Sequence, residues 1–65
     1  MMTVKDLCRA YLEPHDAVRV EDMNSNQILW EGSVQQAVFC MYASSEVESF
    51  CSITGGICIN VNTEE

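Results

Sequence analysis

The spacing of apolar residues changes along this 65-residue chain, and the change calls for a helix followed by strands. Val4, Leu7, Cys8, Tyr11 and Leu12 recur at i, i+3, i+4, i+7 and i+8, while Lys5, Asp6, Arg9 and Glu13 take the other side. That is the stripe of an amphipathic helix. Thr3 and Asp6 have capping-box spacing, so the helix is predicted to begin at Val4. Pro14 cannot continue it, and Glu13-Pro14-His15-Asp16 reads as the turn out.

From there the period is mostly 2. Ala17-Val18-Arg19-Val20-Glu21 alternates small apolar with charged residues, and Asp22-Met23-Asn24-Ser25-Asn26 supplies turn-forming side chains. Gln27-Ile28-Leu29-Trp30-Glu31 completes a hairpin that Gly32 ends. Ser33 and Gln36 repeat the capping-box spacing, and Val34, Ala37, Val38 and Met41 share a helical face, which predicts a second helix to about Tyr42. Between Glu46 and Ile53 alternation returns, with Val47, Ser49, Cys51 and Ile53 on one face and Glu46, Glu48, Phe50 and Ser52 on the other. Thr54-Gly55-Gly56 is a tight turn into a last strand with Ile57, Ile59 and Val61 on one side.

The expected fold is therefore one α+β domain over residues 1–65. Its N-terminal helix packs on a four-stranded antiparallel sheet built from two hairpins, with a short second helix between them. The helix is expected over the face of Val18, Val20, Val47, Cys51, Ile53, Ile57, Ile59 and Val61. A chain this short buries only about 60% of its unfolded surface, which makes a partner subunit a serious possibility.

Few residues here have the spacing of catalytic or metal chemistry. His15 is the sole histidine and sits in a turn, where an exposed role is the ordinary one. Cys8, Cys40, Cys51 and Cys58 contain no C-x-x-C pair of the kind zinc knuckles use, so no metal or other cofactor is expected. Glu46 and Glu48 stand about 7 Å apart along a strand, but an acid–base pair needs a deep pocket that a thin core seldom forms. Gly55-Gly56 lacks the helix and lysine of a phosphate loop. The chain is expected not to be an enzyme.

Met1-Met2-Thr3-Val4-Lys5-Asp6 places charge where a secretory signal has its apolar stretch, and the longest apolar run, Ala37–Ala43, is far short of the roughly 20 residues of a membrane span. A cytoplasmic protein that does not bind membranes is expected. Four cysteines allow three two-bridge pairings, and reduced thiols are expected without a signal.

Three Lys and Arg against ten Asp and Glu give a net charge of −7, which repels nucleic acid. A solubilising surface explains such a surplus by default. The sharper reading is recognition: carboxylates repeated at about 6 to 7 Å on a sheet match the spacing of phosphates and can occupy a basic groove. One eight-residue helix cannot hide Trp30, Phe39, Tyr42, Phe50, Leu29 and Met41 together. Either the second helix covers the opposite sheet face, or these residues form an interface, with a homodimer through the sheet or its edge preferred.

The order Thr3-Val4-Lys5-Asp6-Leu7, Val18-Arg19-Val20, Ile28-Leu29-Trp30-Glu31-Gly32-Ser33, Glu46-Val47-Glu48-Ser49-Phe50 and Ile57-Cys58-Ile59-Asn60-Val61 resembles small uncharacterised proteins encoded by phages and prophages of Gram-positive gut bacteria. Those relatives usually carry charge around the middle segment, whereas Val38-Phe39-Cys40-Met41-Tyr42 is apolar here, which suggests an interface grafted there. The resemblance implies an anti-defence role, like that of anti-CRISPR proteins or proteins that sequester nucleotide signals. The expected function is a non-catalytic inhibitor of a bacterial defence protein with a basic groove, bound through Glu21, Asp22, Glu46 and Glu48 beside Trp30, Tyr42 and Phe50. The alternatives are an oligomeric nucleotide sponge, using Arg19, Arg9 or Lys5 against phosphate and Trp30 or Tyr42 against the base, and a structural or regulatory dimer.

Overall fold

The computed structural model describes residues 1–10 and 13–63. Its elements are α1 (Val4–Ala10), β1 (Ala17–Asp22), β2 (Ile28–Ser33), α2 (Val34–Ala37), β3 (Val47–Ile53) and β4 (Gly56–Val61). The expected Tyr11 and Leu12 of the first stripe lie outside the described residues. Both capping boxes form. The Thr3 Oγ1 accepts the Asp6 N–H at 3.2 Å while Asp6 accepts the Thr3 N–H at 3.1 Å. Ser33 and Gln36 exchange the same pair of bonds at the start of α2.

The second helix is shorter than predicted. After Ala37 the chain tightens into successive i to i+3 turns, with the Phe39 N–H bonded to the Gln36 carbonyl and the Cys40 N–H to the Ala37 carbonyl. The branched and aromatic side chains of Val38 and Phe39 lose rotamer freedom in an α-helix, which removes the incentive to continue one.

The sheet is α+β in class but mixed, not antiparallel. Its strand order is β2-β1-β4-β3, with antiparallel β1–β2 and β3–β4 hairpins joined by a parallel β1–β4 pairing. Strands β2 and β3 therefore run the same way at opposite edges. A connection between parallel strands needs about a dozen residues and usually a helix, and residues 34–46 with α2 supply that. They cross three strand spacings, about 14 Å, over one face of the sheet.

Both helices lie on that same face. Val4 and Cys8 of α1 and Val34 and Ala37 of α2 pack with Val18, Val20, Ile57, Ile59 and Val61 in one core cluster. Strand β1 aligns Val18 with Ile57 and Val20 with Ile59, so the apolar faces of the two central strands coincide. The N-terminus is tied to the far edge, where Met2 accepts the Val47 N–H at 2.8 Å and Ser45 accepts the Val4 N–H at 2.9 Å.

Strand β3 departs from its expected facing. A bulge between Val47 and Ser49 shifts the register, so Val47, Phe50 and Ser52 share the helix side with Val61, Ile59 and Ile57. Cys51 and Ile53, expected in the core, point to the opposite face. One extra residue in a strand inverts every later side chain.

Candidate functional site

The exposed surface divides by the face on which each residue sits. The segment from the end of α2 into β3 leaves Phe39, Met41 and Phe50 exposed by 87%, 83% and 54%, with Phe50 on the helix side of the sheet. Glu46 and Glu48 are exposed in the same stretch. Phe39 and Met41 belong to the tight turns after α2, whose backbone is fixed by the Ala43 N–H to Cys40 carbonyl and Ser45 N–H to Tyr42 carbonyl bonds. Phe50 lies opposite Ile59 but on an edge strand, where one flank has no neighbouring strand among the described residues.

Trp30 and Tyr42, expected to be exposed, are half-buried against the core, as is Leu29. Strand register puts Trp30 beside Val20 on the helix side, and its ring lies across Gly32. A Cβ there would stand 2.6 Å from the Trp30 Cη2 and 2.9 Å from the Gln36 Oε1. Glycine is therefore required for this close approach.

Asp22, expected on an open acidic face, is buried at the end of β1. Its carboxylate accepts the Ser25 hydroxyl at 2.9 Å, the Asn24 Nδ2 at 3.2 Å and the Asn24 N–H at 3.3 Å. Burial opposes its ionisation, yet the bonds from Ser25, Asn24 and Thr63 prevail and hold the carboxyl below its ordinary value. The group shapes the β1–β2 turn, in which Asn26 takes a left-handed φ of 62°.

The opposite sheet face carries no helix among the described residues. Across it run Glu31, Arg19, Cys58 and Cys51, one residue from each strand in register. Arg19 reaches Glu21 through Nη1 and Glu31 through Nε, each at 3.5 Å. The Nε is shielded from water and makes no hydrogen bond among the described residues, so its contact with Glu31 is an ion pair. Burial pushes the Cys58 thiol up to about 11, with the Glu21 carboxylate and Cys51 acting the same way and Arg19 opposing. Glu21 is thus half-buried and occupied by Arg19 and Cys58.

Of the seven residues singled out in the sequence, Glu46, Glu48 and Phe50 are exposed within one short stretch of chain. Glu21 is on the other face, and Asp22, Trp30 and Tyr42 are built into the fold. Phe39 and Met41, which lie in the apolar run expected to carry an interface, are the exposed residues of this stretch not among those seven. His15 is exposed in the turn before β1. Among the described residues no three His, Cys, Asp or Glu side chains are grouped to hold a metal, and no helix is long and apolar enough to cross a membrane.

Comparison with protein families, with curated proteins and with solved structures finds no match to this chain.

Proposed function

We propose that this chain is a non-catalytic acidic binding protein that docks a basic protein surface through the stretch 39–50. The observation carrying this reading is the exposure of Phe39, Met41 and Phe50 in the same stretch of chain as the exposed Glu46 and Glu48. Interface cores favour aromatics and Met, and desolvated apolar anchors inside a charged rim supply most binding energy. The net charge of −7 steers a basic partner toward it. The resemblance to phage-encoded proteins makes a bacterial defence protein the kind of partner expected, and the protein then acts as its inhibitor.

The nucleotide-sponge alternative draws on pockets between subunits, with Arg19, Arg9 or Lys5 against phosphate and Trp30 or Tyr42 against the base. Within one subunit Arg19 and Trp30 lie on opposite sheet faces, so such a pocket needs a second copy. A homodimer is supported by β3, an edge strand whose Ser49, Phe50, Cys51 and Ser52 are all exposed and uncharged.

The test is capture from a bacterial lysate at low and high salt, with light scattering on the purified chain. A basic protein should be captured at low salt and released at high salt. Glu46→Lys with Glu48→Lys, or Phe39→Ser with Met41→Ser, should abolish capture while circular dichroism and the unfolding midpoint stay near those of the parent. Capture that survives both double substitutions refutes the assigned surface.

A further inference from the structure

The four cysteines form no short C-x-x-C pair in sequence, but the fold sorts them into two neighbouring pairs. Cys51 and Cys58 are direct partners across the β3–β4 hairpin. Opposed residues in an antiparallel pair have Cα atoms about 4.5 to 5.5 Å apart, inside the about 4.4 to 6.8 Å that a disulfide spans. Both side chains belong to the sheet face without a helix.

Cys8 and Cys40 are brought near each other where α1 runs beside the chain that follows α2. Residues at the start of α1 bond to the chain beyond Cys40, the Lys5 N–H to the Ala43 carbonyl and the Val4 N–H to the Ser45 carbonyl, each at 2.9 Å. Cys8, one turn further along α1, packs in the same core cluster as Ala37 of α2, and Cys40 is bonded back to Ala37 at 3.2 Å. Each thiol pair is also close enough for charge on one to raise its partner: Cys40 acts on Cys8, and Cys51 on Cys58. All four are free thiols.

We propose that the folded chain forms two disulfides of a single connectivity, Cys8–Cys40 and Cys51–Cys58, when it meets a small-molecule disulfide oxidant such as oxidised glutathione. Each pair holds one buried and one more accessible member, since Cys8 and Cys58 are buried, Cys40 is half-buried and Cys51 is exposed. The accessible thiolate attacks one sulfur of glutathione disulfide, whose S–S bond breaks and releases a first glutathione thiolate. The buried partner then gives up its proton and attacks the protein sulfur of the mixed disulfide, expelling the second glutathione. Two protein thiols are oxidised, and one glutathione disulfide is reduced to two thiols. Burial keeps the second attacker protonated at neutral pH, so ring closure is slow there and faster in alkali. The bridges would clamp both ends of residues 40–51, the stretch that carries Met41, Glu46, Glu48 and Phe50. The pairing itself does not depend on the partner proposed above.

The experiment incubates the full native chain with reduced and oxidised glutathione at pH 8, quenches with acid and locates bridges by peptic digestion and tandem mass spectrometry. The expected product is a monomer lighter by about 2 Da per bridge, with only Cys8–Cys40 and Cys51–Cys58 linked. In denaturant, oxidation should give mixed connectivities. Cys8→Ser should leave Cys51–Cys58 forming alone, and Cys51→Ser should leave Cys8–Cys40 forming alone, so a single variant that fails to fold leaves the other pair readable. A native product that links Cys8 or Cys40 to Cys51 or Cys58, bridges only between chains, or stays fully reduced overturns the proposal.

Discussion

Placing β4 inside the sheet and β3 at its edge makes a sharp difference between two residues that face each other. Ile59 is fully buried, whereas its partner Phe50 is 54% exposed. Ile59→Ala removes three buried carbons, worth about 0.8 kcal/mol each in transfer, and the residual cavity brings the expected loss to about 2 to 5 kcal/mol. A domain of this length has a total stability of roughly 3 to 10 kcal/mol, so the variant should lose much of its cooperative unfolding or fold only in part. Phe50→Ala removes a larger side chain, but about half of it is already in water, and the cost should be about 1 kcal/mol. Urea unfolding followed by the fluorescence of Trp30 and by circular dichroism measures both, under reducing conditions. In a sheet that placed the last strand at an edge the ranking would shrink or reverse. A Phe50→Ala loss equal to or larger than that of Ile59→Ala would refute the topology from which these magnitudes come.

Other expectations follow from local geometry. A Cβ at Gly56 would stand 1.9 Å from the Ala17 carbonyl oxygen, so Gly56→Ala must push β1 and β4 apart. Gly55, at φ 81°, has open space around it, and Gly55→Ala should cost only about 1 to 2 kcal/mol; denaturation midpoints should rank Gly56→Ala well below Gly55→Ala. In alkali, an unfolded thiol ionises near its ordinary value of 9.0 while folded Cys58 holds its proton to about 11. Stability is fully present below pH 9 and falls as pH rises from 9 toward 11, by on the order of 2 to 3 kcal/mol. Cys58→Ala should flatten that slope relative to the parent in reducing buffer. In acid the sign reverses: hydrogen bonds hold Asp6 and Asp22 below their ordinary 3.8, so their stabilisation is present above pH 3.8 and disappears as pH falls through the lower folded values. The Asp22→Asn variant should show a shallower loss of midpoint over that acid range.

Much of this architecture could be read along the chain because its causes are short-range. Thr3 with Asp6 and Ser33 with Gln36 mark two helix starts, since each cap joins residues three positions apart. Gly55 marks a turn because a residue without a Cβ takes its positive φ of 81° cheaply. The alternation of Val18 with Arg19, and of Ile57 with Cys58, marks strands whose two faces meet different surroundings.

What the tertiary structure alone decided is how those pieces are joined and which side each presents. The β1–β4 pairing is parallel because residues 34–46 carry the chain over the sheet to its far edge, and no local pattern distinguishes that crossing from a return beside β2. The bulge after Val47 then moves Cys51 from the core to the open face. Trp30 is half-buried because Gly32 leaves room for its ring, and Asp22 is buried because a turn folds its donors around it. Periodicity states that two faces differ. Which face becomes the interior, and that Cys8 lies near Cys40, depends on contacts between residues distant in sequence, and those exist only once the sheet has assembled.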